Sequence, residues 1–298
     1  MAGIRDLQNP KDQKRNRALV LLLSPAMLWL AAFMFLPLLI MLYYSFGTMT
    51  GVSMSLTTQL TLGNYIRLTQ SPLYSKVLYN SVELAVVVVF LCLLLGYPTA
   101  YWLSKRSETT KFAFLCLMLV PFWTSVLLRT YAWILMLQDR GAVNFFLQAL
   151  GIIESPLSML WSKGAIAVAC TQIYLPFMVI PLFGVLEMLD RKLIEAAKNL
   201  GASKLRAFWE VTLPLSMPGL VVGTLFVFVP TVGEYLVPSM IGGPNFESAA
   251  SVVESNFGLT FNWPLGAALA VIVIAIICIA VFGLLKLAPP WKLIQREQ

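Results

Sequence analysis

The sequence contains no histidine, and only 12% of its 298 residues are charged. The first absence removes the usual imidazole base and the commonest haem and zinc ligand, so Ser-His-Asp, metalloprotease and haem chemistries are poorly supported. The second excludes a water-soluble domain. With 59% hydrophobic residues and a mean hydropathy of +0.80, the chain has far more apolar surface than a soluble core can bury. Cysteine is scarce as well: Cys92, Cys116, Cys170 and Cys278 each stand alone in an apolar run, where cysteine acts as a small hydrophobe. Neither a disulfide framework nor a metal site is expected. Nowhere is a Gly-Lys pair followed by Ser or Thr, so the chain carries no phosphate-binding loop of its own.

What the sequence has instead is long hydrophobic runs. A hydrocarbon core of about 30 Å takes roughly 20 apolar residues as helix. Six stretches meet that length, at about residues 20–46, 81–103, 112–137, 165–186, 220–237 and 263–287. The expected fold is an all-α membrane protein: a basic tail at 1–19, a six-helix transmembrane domain over 20–287, and a short tail at 288–298. The first run is too long for a signal-peptide core and lacks a small-x-small cleavage site, so it reads as an uncleaved helix.

Outside the spans, sixteen lysines and arginines fall on one side and four, Arg67, Lys76, Arg140 and Lys163, on the other. By the positive-inside rule both termini and the polar segment near 187–219 belong in the cytoplasm. The net charge of +7 therefore reports membrane topology. Lipid is the expected surroundings, and no nucleic-acid partner is implied. The outer loops, 47–80, 138–164 and 238–262, are long enough to receive an external partner.

Between the fourth and fifth spans lies a charged insert, EAAKNLGASKLRAFWEVTLPLSMPG, over residues 195–219. Asp190 is placed to cap a short helix and Gly201 to end it; Leu193, Ala197 and Leu200 fall on one stripe. A second short helix over 203–212 would carry Leu205, Phe208 and Trp209 on an apolar face. Pro214 and Pro218 are expected to stop it and restart the chain as a membrane helix. Such a knob suits a docking surface, while composition alone also permits an amphipathic helix lying on the headgroups.

Ionisable residues inside apolar spans are costly, at about 3 kcal/mol near the bilayer centre, and so point to function. Glu83, Arg129 and Glu234 qualify, all toward the outer half. With Asp139 nearby, two acids there would favour a cation entering from outside. Trp123, Tyr131, Trp133, Tyr174 and Tyr235 could add cation–π attraction of about 0.5–2 kcal/mol. The same residues also fit an interfacial aromatic belt, with Arg129 in an intramembrane ion pair with Glu83 or Glu234. Pro37, Pro98, Pro121, Pro176, Pro181 and Pro230 are expected to bend the spans.

The order Glu195, Ala196, Ala197, Gly201, Ala202, Phe208, Leu213, Pro214, Pro218, Gly219 resembles the EAA loop of ABC-importer permeases. PFWTSVLLRTYAW at 121–133, GEYLVPSMIGGP at 233–244 and NWPLGAALA at 262–270 are similar to segments of the spermidine/putrescine branch of that family. The resemblance implies a type I (MetI-like) importer fold with a cytoplasmic coupling helix between spans four and five. It also implies residence in a bacterial inner membrane, a homologous second permease, two ATPase subunits holding ATP and Mg2+, and an external solute-binding protein. Glu195, Ala196, Ala197, Gly201 and Ala202 would couple to the ATPases, and this chain would itself hydrolyse nothing. A polyamine is the implied cargo. Opines, aminophosphonates, thiamine and ferric iron are carried by relatives at various distances. An ion-coupled secondary transporter using the intramembrane acids is the rival class, and a membrane enzyme the more remote one.

Overall fold

The computed structural model describes residues 10–49, 56–57 and 60–287; the remainder of the basic N-terminal tail and the 288–298 tail lie outside the described residues. The helices in chain order are α1 (Pro10–Ser45), α2 (Gly63–Gln70), α3 (Pro72–Leu103), α4 (Glu108–Leu119), α5 (Val126–Leu137), α6 (Ala142–Ala149) and α7 (Lys163–Glu187). They continue with α8 (Arg191–Asn199), α9 (Lys204–Ala207), α10 (Leu213–Val232), α11 (Ala249–Gly258) and α12 (Trp263–Leu287). A two-residue ladder, β1 (Thr48–Met49) with antiparallel β2 (Leu56–Thr57), follows α1.

Five helices are long and apolar enough to cross a membrane, and the bent α4–α5 segment counted as one broken span makes six. Four of the expected spans hold with shifted ends. Helix α3 starts at Pro72 rather than near 81, because a proline in the first helical turn lacks only a donor that would be unpaired anyway. Its 32 residues rise about 48 Å, so its first turns stand clear of the hydrocarbon.

Two expectations need correction. The third span is not one helix. After α4 a 3-10 turn, Val120–Trp123, carries Pro121, Thr124 and Ser125 are extended, and the chain restarts as α5 at a bend of 93°. Pro121 cannot donate to the preceding turn, and two extended residues complete the break. The second correction is at the charged insert: Pro214 and Pro218 do not separate it from the fifth span. A π-helical turn at Phe208–Thr212 joins α9 directly to α10; Pro214 falls in the first turn of α10, where its missing donor costs least, and Pro218 sits within α10.

Helix α7 is the centre of the bundle. It packs against α3 on one side and α10 on the other, and 61% of its most apolar window is buried against 0% for α1. The main apolar core runs along it through Ile166, Cys170, Met178, Val179 and Leu182, meeting Val88 and Cys92 of α3 and Val227 of α10. Helix α1 packs along α12 on the flank of the bundle and meets α2 at Ser45, leaving residues such as Leu22, Trp29 and Phe33 exposed. Inside the bundle the Tyr97 and Ser216 hydroxyls pair at 2.9 Å, giving both polar groups the partner that lipid cannot supply.

The α7–α10 crossing rests on small residues. A Cβ on Gly219 would lie 2.9 Å from the Pro181 carbonyl oxygen, and one on Gly223 would lie 2.9 Å from Met178 Sδ. This is a Gly-x-x-x-Gly contact, the arrangement that brings membrane helices closest. Gly219→Leu is therefore expected to cost about 1–3 kcal/mol by overpacking, read as a lower melting temperature in detergent and lower abundance in membranes. Gly184→Ala, at a site with nothing within 4 Å, should leave both unchanged.

Candidate functional site

At one end of the bundle the loop between α7 and α10 forms a compact knob. Asp190 Oδ1 accepts from the Lys192 amide at 2.9 Å, starting α8. At its other end Gly201 adopts φ +90°, the Gly201 amide donates to Lys198 O at 2.9 Å and the Ala202 amide to Ala197 O at 3.0 Å. That pair of bonds closes a helix on a left-handed residue, the conformation that favours glycine. Ser203 Oγ then caps α9 through the Arg206 amide, and Arg206 pairs with Glu210 at 2.9 Å. Glu195, Ala196 and Gly201 are exposed, Ala197 and Ala202 half-buried.

The expected shared apolar face of Leu205, Phe208 and Trp209 is split. Phe208 turns inward and meets the rings of Tyr97 and Tyr101 edge-on at 5.6 and 5.8 Å, whereas Leu205 and Trp209 face outward with Leu200, which is 90% exposed. The knob is thus anchored to α3 through one aromatic and presents the other apolar side chains to its surroundings.

A cleft of about 240 Å3 lies between the knob and the bundle, lined by Tyr101, Lys105, Glu187, Glu195, Lys198 and Thr212. Beside it the buried Lys111 ammonium bridges Glu108, at 2.7 Å, and Glu187 of α7. Sequence reading counted Lys111 only as a topology signal. The Glu108–Lys111 spacing was legible as a helical i,i+3 pair, but nothing in the sequence pointed to Glu187.

The candidate pathway residues gather toward the opposite end, and only some converge. Glu234 and Tyr174 meet: the Tyr174 hydroxyl donates to Glu234 Oε2 at 2.5 Å. Glu234 Oε1 accepts from the amides of Leu236 and Val237 at 3.0 and 3.4 Å, so the carboxylate also starts the helical segment running into the π turn Pro238–Gly242. Trp133 Nε1 donates to Gln172 Oε1 at 3.3 Å in a largely apolar cavity of about 490 Å3 between α3, the α4–α5 break and α7. Gln172 was missed because a single amide in an apolar span gives no pattern. Trp123 is 92% exposed, and Tyr131, Asp139 and Tyr235 are also exposed.

The expected ion pair of Arg129 does not form. Glu83 is taken by Lys163 at 2.5 Å and Glu234 by Tyr174. Arg129 lies in the first turn after the 93° break, its Cζ 6.0 Å from the Phe122 ring and its buried Nε without a hydrogen-bond partner. Both acids are held by side chains of α7, which leaves Arg129 against the Phe122 ring rather than in an ion pair.

Helices long and apolar enough to cross a membrane, with a capped two-helix knob between α7 and α10, define a membrane-embedded protein. The chain matches the family described as the binding-protein-dependent transport system inner membrane component over residues 13–291, and it belongs to that family. It is similar to the spermidine/putrescine transport system permease protein PotB of Salmonella typhimurium strain SL1344, at 40% identity over 82% of this chain and 84% of that one. The PotB of Escherichia coli K12 is 39% identical over 82% and 88%. Among solved structures, a bacterial alginate ABC transporter in complex with an alginate pentasaccharide-bound periplasmic protein has a chain that superposes with a TM-score of 0.67 at 16% identity, over 94% of this chain and 96% of that one.

The Tyr174–Glu234 contact gives a direct test of the loop. Tyr174→Phe removes one donor worth about 1 kcal/mol, and amide exchange over residues 236–242 is expected to quicken about fivefold, with exchange in α8 unchanged.

Proposed function

We propose that this chain is one of two membrane subunits of an ATP-driven importer in a bacterial inner membrane, with both termini cytoplasmic, and that its cargo is a small organic cation, a polyamine. Two ATPase subunits, which hold the ATP and Mg2+, dock on the α8 knob; a homologous permease completes the bundle; an external solute-binding protein delivers cargo to the opposite end. Membership in a binding-protein-dependent family supports the architecture. The cargo reading rests chiefly on 40% identity, over most of both chains, to a permease named for spermidine and putrescine.

The observation that carries the docking role is the knob itself. Its backbone is fixed at both ends by side-chain caps and by the Gly201 turn, while Leu200, Leu205 and Trp209 remain exposed among the described residues. A rigid element with an uncovered apolar face suits a partner protein. A stroke of the ATPases delivered to α8 passes into α7 and α10 at once, because α8 lies between them in the chain. Glu195, exposed on α8, offers a carboxylate to the partner, and Gly201 supplies the turn that holds α8 against α9.

Uptake of labelled putrescine and spermidine into proteoliposomes holding the whole assembly tests the reading. The expected result is accumulation that requires ATP and the external protein. Accumulation driven by an ion gradient without the ATPases would replace it with secondary transport, and ATP-dependent uptake of another solute alone would replace only the cargo. Gly201→Val forces a β-branched residue to φ +90°, a strain of about 1–3 kcal/mol. Uptake by that variant is expected to fall at least tenfold at unchanged abundance, with ATP hydrolysis persisting.

A further inference from the structure

Lys163, in the first turn of α7, reaches across to α3 and places its ammonium 2.5 Å from Glu83 Oε2. The same ammonium lies 6.0 Å from the centroid of the Phe246 ring, on the loop that Glu234 caps. These three side chains line one cleft of about 110 Å3 together with Leu84, Val87 and Ala167. A carboxylate and an aromatic face converging beside an apolar wall is the environment that an alkylammonium ion prefers. The group now occupying it is an alkylammonium: the lysine side chain is an ammonium on a four-carbon stem, the same aminobutyl unit that forms putrescine and one arm of spermidine.

The pair is also placed to exchange. The Lys163 and Glu83 side chains are 53% and 34% exposed, and an ion pair that open contributes little to stability. Its position on the end of α7 opposite α8 faces the side from which the proposed external protein delivers cargo.

We propose that Glu83 and Phe246 form an alkylammonium-binding site that Lys163 fills as a tethered surrogate until the aminobutyl group of the cargo displaces it. This rests on the polyamine reading and deepens it by naming where one ammonium is held. Displacing Lys163 leaves its charge in water at the rim, so the site never holds a bare carboxylate. Occupancy by the surrogate lowers apparent affinity for cargo in proportion to the fraction of time the site is filled, which keeps the site releasing as well as binding.

The test is equilibrium binding of labelled putrescine to the purified, intact assembly without nucleotide, with ATP-driven putrescine uptake measured in parallel. Lys163→Met keeps the stem and removes the competing charge; the expected dissociation constant falls by about two- to tenfold. Glu83→Gln should raise it at least tenfold, Phe246→Leu should raise it less, and n-butylammonium should compete. A merely structural ion pair predicts loss in both charge variants. Lys163→Gln serves as a second variant should the methionine form fail to assemble. Unchanged or weaker binding in assembled Lys163 variants, or unchanged binding in Glu83→Gln, overturns the surrogate site while wild-type uptake leaves the cargo reading standing. Absence of putrescine uptake by the wild type overturns both.

Discussion

The close approach of α7 and α10 is the constraint on which the rest of the structure depends. Gly219 and Gly223 let α10 lie directly on the backbone at Pro181 and on Met178, a contact with no room for a methyl group. In lipid there is little hydrophobic gain from bringing two apolar helices together, so this packing must come from shape. Because α8 and α9 are the connection between these two helices, the knob hangs directly from this close crossing. Phe208, wedged between Tyr97 and Tyr101, adds α3 to the same anchor. The knob moves only if the core moves.

The first half of α7 carries polar contacts to three other segments. Lys163 reaches α3 from its first turn, Gln172 holds the Trp133 indole, and Tyr174 holds the carboxylate that starts the outer loop. One buried helix thus leads into the α8 connection at its end and meets Glu83, Trp133 and Glu234 along its first half. Helix α5 joins these contacts through Trp133, while Arg129, in its first turn after the 93° break, keeps a buried Nε without a hydrogen-bond partner.

Local chemistry was legible in the sequence where it is read by neighbours along the chain. The last span, the Asp190 cap and the Gly201 turn all stand where periodicity and capping rules put them, since each depends on residues within one or two turns. The break at Thr124 and Ser125 was hidden because PFWTS sits inside an otherwise continuous apolar run, and proline alone more often bends a membrane helix than severs it. The π turn was hidden for the opposite reason: two prolines read as a stop, and the alternative depends on how Phe208 is held by α3. Glu83, Arg129 and Glu234 stand out in the sequence as charges inside apolar runs, but the side chains they meet do not. Lys163 and Tyr174 come from α7, and which acid each meets is decided by how the helices rotate against one another.

The π turn between knob and core has a consequence for the angular phase of the assembly. A π turn holds one residue more than the α-helical turn it replaces, and each residue rotates a helix by about 100°. The extra residue at Phe208–Thr212 therefore sets the direction in which α10 faces relative to α9. Without it, Gly219 and Gly223 would be carried about a quarter-turn away from α7 while the knob stayed where Phe208 pins it. The segment acts as the indexing tooth of a gear, so drift in the length of this loop by single residues is closed to the protein.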